Sequence, residues 1–175
     1  MKILRNMLGI LLLLTVLCSC HRLRRTVADY REHPFRAEIR FISGGVTVYA
    51  EMETVLVDGA LTPSSMRLLA PPSLEGIVLE REGEEIVLTR DGLRTPCAGA
   101  KGWWETADLL CASGTMHYVC DTELEGLPLA YMEIGEGRDA YGIFCERETG
   151  SPKKIVRGAQ ELTLIRFERI EARAS

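Results

Sequence analysis

The chain has 175 residues, of which 46% are hydrophobic, and removal of the N-terminal signal described below leaves 156, enough for one hydrophobic core. Those 156 residues carry 19 Lys and Arg against 25 Asp and Glu, a formal charge of −6. Because a nucleic-acid partner requires a basic surface, this balance argues against one.

The first twenty residues have the order of a bacterial export signal. A short basic region precedes an apolar run from Met7 to Leu17. At ~11 residues this run is too short to span a bilayer but fits the centre of a signal peptide. The stretch from Leu17 to Cys20 resembles a lipobox, in which Cys20 receives the lipid. Residues 1–19 are therefore predicted to be a lipoprotein signal peptide, with an ordinary secretory signal as the alternative.

A lipid-modified Cys20 would hold the protein at the extracytoplasmic face of the cell membrane, or at the outer membrane if the organism has one. Residues 20–34 are polar and are predicted to form a tether, with one helical turn near Val27 to Arg31. The anchor is followed directly by a basic cluster of His21, Arg22, Arg24 and Arg25. This cluster either lies against anionic headgroups or keeps a solvated leash soluble.

Apolar and charged residues alternate from Phe35 onward, which is the pattern of half-buried strands. Glycine-containing turns separate the segments, as expected for an all-β domain. Strands are predicted over 35–41, 46–56, 65–70, 76–81, 85–89, 116–122, 127–134, 140–147, 154–157 and 161–168. The exception is Gly102 to Ser113, where apolar residues at helical spacing predict a short amphipathic helix that caps a curved sheet.

This order of elements, together with two patches of sequence, resembles the LolA/LolB-like superfamily of lipoprotein carriers and receptors. The first patch runs from Met66 to Gly76 and leads into Ile86 to Leu88: a strand, a loop with proline and glycine, then the next hairpin. The second runs from Glu148 to Ile155 and ends in Ile165 to Phe167, similar to the family's closing hairpin. The resemblance covers roughly residues 35–170.

The resemblance implies a mainly β fold, in which a strongly curved antiparallel sheet of about ten strands forms an incomplete barrel around the helix. Residues 35–170 then form the half-barrel domain and 171–175 a C-terminal tail. It also implies that the concave face binds a hydrophobic ligand, a lipid or the acyl chain of a lipoprotein, without catalysis. The inward phase of the strands predicts the lining: Phe35, Ile39, Phe41, Val48, Met52, Leu68, Leu79 and Leu88. For any one of these residues, plain core is the alternative.

Leu74 lies in a rigid turn, after two prolines and Ser73 and before Glu75-Gly76. In the membrane-bound receptors of the superfamily, the corresponding hairpin offers an exposed apolar residue to the bilayer or the cargo. The resemblance therefore implies membrane or cargo contact for Leu74. The alternative is a leucine that folds back onto the sheet edge.

Four cysteines lie outside the lipid site: Cys97, Cys111, Cys120 and Cys145. An even number in an exported domain permits two disulfides, with Cys111–Cys120 the first expectation; buried thiols are the alternative. His117 lies between Cys111 and Cys120, but this spacing matches no common zinc motif. No catalytic residue, metal or cofactor is predicted.

Four carboxylates, Glu51, Glu53, Glu133 and Glu146, fall at outward positions of their strands and are predicted to be a solvated face. They give no case for a hydrolase. The alternative to a ligand carrier or sensor is a protein-interaction scaffold in envelope or spore assembly, built on the same sheet.

Overall fold

In the computed structural model of the protein, residues 27–137 and 140–170 are described. Over these residues, eleven antiparallel strands form one open sheet, and one short α-helix, α1 (Lys101–Asp108), packs against it. The predicted architecture, a mainly β, strongly curved sheet around a short helix, is confirmed. The predicted signal peptide, Cys20 and the C-terminal tail lie outside the described residues.

The sheet consists of two meanders joined at its centre. Its strands are β1 (Phe35–Ser43), β2 (Val46–Val57), β3 (Ala60–Ala70), β4 (Val78–Glu82), β5 (Glu85–Arg90), β6 (Leu93–Pro96), β7 (Met116–Leu124), β8 (Leu127–Ile134), β9 (Tyr141–Glu146), β10 (Pro152–Arg157) and β11 (Gln160–Arg169). Their order is β6-β5-β4-β3-β2-β1-β11-β10-β9-β8-β7. Strands β6 and β7 are therefore the two edges, and α1 lies in the segment that connects them.

The alternating sequence of β1 places its two kinds of residue on opposite faces. Every second residue from Phe35 to Phe41 is buried, whereas Arg36 and Arg40 are exposed. Gly44 and Gly45 both have positive φ, +57° and +80°, which suits the tight turn into β2. The sheet therefore has one apolar face and one charged face, as the sequence predicted.

Three features of the fold differ most from those predicted. Strand β3 begins at Ala60 rather than Ser65, because the Asp58-Gly59 turn pairs Val57 with Ala60, and Pro63 is tolerated beside a register shift. Strand β6 was not predicted, since all four of its residues are exposed and give no alternation. Helix α1 ends at Asp108 and does not continue to Ser113.

The segment before β1 belongs to the folded body. Tyr30 opens a short 3₁₀ turn, is fully buried, and donates a hydrogen bond from its hydroxyl to the carbonyl of Leu110 at 2.9 Å. Its ring lies edge-on to Phe35 and Phe167, with centroids 5.9 and 6.0 Å away. The sequence placed this segment in the tether, because one aromatic residue in a polar stretch carries no periodic signal.

Candidate functional site

The predicted ligand-lining residues lie together on the concave face of the sheet. Neighbouring strands align them, with Phe41 opposite Val48 and Leu79 opposite Leu88. Seven of the eight are at most 2% exposed, and Leu88 is half-buried against the same core. The sequence therefore located one continuous apolar face; whether it binds a ligand remains a prediction.

Helix α1 covers the middle of this face. It packs against β1, β3 and β11, the central strands of the sheet. Trp104, Ala107 and Leu110 extend into the cluster formed by the predicted lining residues and are at most 2% exposed. The interior is thus filled by the helix in this state, and a ligand on the concave face would have to replace some of its contacts.

Three buried side-chain groups have no hydrogen-bond partner among the described residues: the Thr89 hydroxyl on β5 and two groups in this interior. The indole Nε1 of Trp104 and the hydroxyl of Tyr141 are buried and unpaired, on residues that are 2% and 6% exposed. The neighbouring indole of Trp103, by contrast, donates to the Ser43 hydroxyl at 2.9 Å. Since buried polar groups are normally paired, the two unpaired donors call for an acceptor such as a water or a carbonyl group.

A cleft of about 660 Å³ opens beside the C-terminal half of α1. Its lining mixes apolar and charged groups: Leu61, Thr62, Pro63, Arg81, Glu105, Asp108, Leu109, Cys111, Ala112, Ser113, Arg157 and Gln160. Leu61 and Leu109 are only 8% and 6% exposed, so they separate the cleft from the apolar interior. Burial raises the pKa of Asp108; the charge of Arg81 acts in the opposite direction, and that of Glu105 adds to the rise.

Hydrogen bonds from Arg31, which is ion-paired with Asp29, join the N-terminal segment to the residues that follow α1. Arg31 Nη2 lies 2.6 Å from Asp29, and the same guanidinium donates to the carbonyls of Ala112 at 2.7 Å and Gly114 at 3.0 Å. Burial alone would raise the pKa of Asp29, but the hydrogen bonds and charge of Arg31 outweigh it and lower that pKa. These contacts hold the N-terminal segment against the residues that follow α1.

Leu74 is half-buried and packs against the core. Its turn is held by backbone hydrogen bonds: Leu74 N–H donates to the Pro71 carbonyl at 2.8 Å, and Gly76 N–H donates to the Leu68 carbonyl at 3.1 Å. This placement favours the alternative of a leucine folded onto the sheet. Membrane or cargo contact by Leu74 remains a prediction.

All four cysteines of the described body are free thiols, so the expected Cys111–Cys120 disulfide is wrong. Cys111 packs against the core after α1, whereas Cys120 is exposed on the edge strand β7. Burial raises the pKa of the Cys145 thiol to about 12 and that of Cys111 further, which makes both poor nucleophiles. His117 is exposed on β7, and no three potential metal ligands cluster within the described ranges.

The four carboxylates singled out in the sequence lie on the solvated face, as predicted. Glu53 and Glu51 both pair with the exposed Arg36 across the hairpin. Glu133 accepts a hydrogen bond from Tyr131, and Glu146 accepts one from Thr149 at 2.6 Å. Glu51 and Glu53 thus share one arginine on this face, whereas Glu133 and Glu146 lie on β8 and β9.

The sequence analysis missed an exposed apolar ribbon at the β2–β3 turn. Val55, Leu56 and Val57 are 42%, 46% and 51% exposed although they lie in a strand. The signal was present: the alternation with glutamates stops at Glu53, and three apolar residues then follow in a row. The pattern predicted only a continuation of the strand.

No known family profile matches the sequence, and no curated protein matches it significantly. Solved structures resemble the fold at low identity. A conserved protein of Thermus thermophilus is 12% identical over 81% of both chains, with a TM-score of 0.49. MucB of Pseudomonas aeruginosa, in complex with MucA, is 13% identical with a TM-score of 0.44; the match covers 83% of this chain but only 54% of that one.

A LolA superfamily protein from Nitrosomonas europaea is 9% identical with a TM-score of 0.36, over 82% of this chain and 89% of that one. No helix in the described part of the chain is long and apolar enough to cross a membrane. At these identities the similarity concerns the fold alone. The structural neighbours of this chain thus include members of the LolA superfamily.

Proposed function

We propose that the protein is a membrane-anchored extracytoplasmic lipoprotein whose half-barrel binds a hydrophobic ligand, a lipid or the acyl chain of a lipoprotein, and acts as a carrier or sensor without catalysis. The observation that carries the proposal is the concave face itself. It is apolar across the central strands, and within the described body its cover there is one eight-residue helix. Strongly curved sheets of this kind commonly enclose apolar ligands.

The ligand enters through the cleft beside α1. Leu61 and Leu109 form the boundary between that cleft and the interior, so their displacement opens a path to the concave face. Inside, the unpaired Trp104 indole supplies a donor for a carbonyl oxygen, such as that of an ester or amide. An acylated ligand combines both features, an apolar chain and a carbonyl group at its head.

Native mass spectrometry of the full chain purified from cells tests the binding. Co-purified lipid is expected, and a folded protein that carries none would refute the proposal. A variant Ala107→Trp serves as a second measurement, since Ala107 is fully buried between helix and sheet. If ligand shares this space, the variant loses lipid and keeps its melting temperature. If the interior is permanently filled, overpacking costs about 1–3 kcal/mol and the melting temperature falls.

The anchor is tested separately at Cys20, which lies outside the described residues. Lipidation is expected to increase the intact mass of the processed protein and to hold it in the membrane fraction. The variant Cys20→Ala should lose both properties. Unchanged mass and unchanged membrane partitioning in this variant would exclude Cys20 as the lipid site.

A second candidate function is a protein-interaction scaffold in envelope or spore assembly. The observation that favours it is the edge strand β7, which exposes residues on both faces, among them Tyr118 and Val119 at 48% each. An unpaired strand edge can accept an additional strand from a partner. A folded, lipid-free protein that co-purifies with a second protein through β7 would favour this function over ligand transport.

A further inference from the structure

The tip of the β2–β3 hairpin extends beyond the rest of the sheet. Strand β1 pairs with β2 as far as Glu53, and β4 pairs with β3 only from Ser65 onward. Between these limits, β2 and β3 pair only with each other, from Thr54 opposite Pro63 to Val57 opposite Ala60. The tip is thus a two-stranded ribbon with no further strand beside it in the described sheet, and Leu61 on β3 packs it against the core.

The ribbon is apolar on both faces. Val55 and Val57 belong to the outward phase of β2, where the preceding residues are Glu51 and Glu53, and Leu56 belongs to the inward phase. All three apolar side chains are between 42% and 51% exposed. A protruding apolar tip on an otherwise charged outer face is the kind of surface that marks an interaction site.

The position of the chain's N-terminal segment indicates what this tip faces. Gly59, Ala60 and Leu61 line a cleft of about 300 Å³ together with Asp29 and Arg31. The N-terminal segment of the described chain therefore lies directly beside the turn of the ribbon. Only six residues lie between Cys20 and Val27, and the seven Cα-to-Cα steps span at most ~25 Å even when fully extended.

We propose that the tip of the β2–β3 hairpin, centred on Val55, Leu56 and Val57, contacts the surface of the bilayer to which Cys20 is anchored. The inference rests on the lipid anchor of the proposed function. The short tether keeps this end of the sheet at the membrane, and the exposed apolar side chains replace contact with water by contact with the acyl boundary. The basic cluster next to Cys20 fits anionic headgroups at the same surface.

Asp58 at the turn sets the depth of this contact. A carboxylate is costly inside the hydrocarbon layer, so the ribbon lies along the headgroup–acyl boundary and does not cross it.

The contact also fixes which end of the body faces outward. Leu74 follows the opposite end of β3, a strand of eleven residues or ~35 Å, and therefore lies away from the tip.

Photocrosslinking in the intact membrane tests the inference with a matched control on the same strand. A benzophenone amino acid replaces Val57 in the full chain, and in a second variant it replaces Val46, which is 46% exposed at the other end of β2. Lipid adducts are expected from position 57 and none above background from position 46. Mass spectrometry of the crosslinked protein identifies the adducts.

The outcomes separate the two proposals. Membrane-bound protein without lipid adducts at position 57, or with equal adducts at both positions, overturns the tip contact and leaves the anchor intact. Protein adducts at position 57 in place of lipid also overturn it, because the tip then faces a partner protein. A chain that is absent from the membrane fraction overturns both the anchor and the contact that depends on it.

Discussion

Removing the hydroxyl of Tyr30 tests whether the segment before β1 is part of the fold. In Tyr30→Phe the ring keeps its contacts with Phe35 and Phe167, while the Leu110 carbonyl loses the donor that reaches it at 2.9 Å. A buried carbonyl left unpaired costs about 1–3 kcal/mol. For a domain of this size, each kcal/mol lowers the melting temperature by about 2–4 °C. We therefore expect a fall of roughly 2–12 °C.

The pH dependence gives the same substitution a second signature. Burial, together with the nearby Tyr141 and Cys145, raises the pKa of Tyr30 well above 10. Above pH 10 the phenol ionises in the unfolded chain but not in the fold. This lowers the free energy of unfolding of the wild type. Phenylalanine cannot ionise, so the stability difference between wild type and Tyr30→Phe should shrink as the pH rises past 10.

Thermal and chemical unfolding of both proteins measure these differences. Tyr118→Phe is the matched control, because Tyr118 is 48% exposed on the edge strand and its loss should change stability by less than about 0.5 kcal/mol. Deletion of residues 27–34 should destabilise the protein far more than Tyr30→Phe. Equal melting temperatures for wild type, Tyr30→Phe and the deletion would mean that the segment is a tether, contrary to its burial.

Three further substitutions probe other parts of the body. Asp108→Asn should stabilise the protein at neutral pH, because burial raises the pKa of Asp108 in the fold. The gain should vanish in acid unfolding curves below the ordinary aspartate pKa of 3.8, where both states are protonated. Gly142→Ala should cost about 1–3 kcal/mol in chemical denaturation, since the new Cβ would lie 2.5 Å from the Tyr131 ring, and less in a Tyr131→Ala background. Leu74→Glu should lower the melting temperature because Leu74 packs against the core; an unchanged value would leave it free to contact a membrane.

Much of the sheet was predictable because its two faces meet different surroundings. The strict alternation from Phe35 to Phe41, with glycines 44 and 45 at the turn, could be satisfied only by a strand with one buried face. The same logic failed where that contrast is absent. Strand β6 is exposed along its whole length, so it owes its place to pairing with β5 alone.

The candidate site was harder to predict for a different reason. A packed helix and a bound acyl chain both require apolar residues on the concave face. Met52 and Leu68 are therefore compatible with either kind of interior. The burial of Tyr30 depends on its contact with Leu110, which follows α1. The exposure of the apolar ribbon depends on where β1 and β4 stop pairing with the hairpin. A single sequence does not encode these distances as a local pattern.

The two adjacent tryptophans of α1 can separate a ligand-binding interior from a filled one. Trp104→Phe removes a buried donor that has no protein partner, which offsets the loss of ring volume, so stability should change little while lipid occupancy falls. Trp103→Phe removes a paired donor, breaks the bond to Ser43, and should cost about 1 kcal/mol with lipid occupancy unchanged. Native mass spectrometry and thermal unfolding of both variants give the comparison. If Trp104→Phe retains lipid as well as Trp103→Phe does, the Trp104 indole does not bind the head of the ligand, because its donor has been removed without effect.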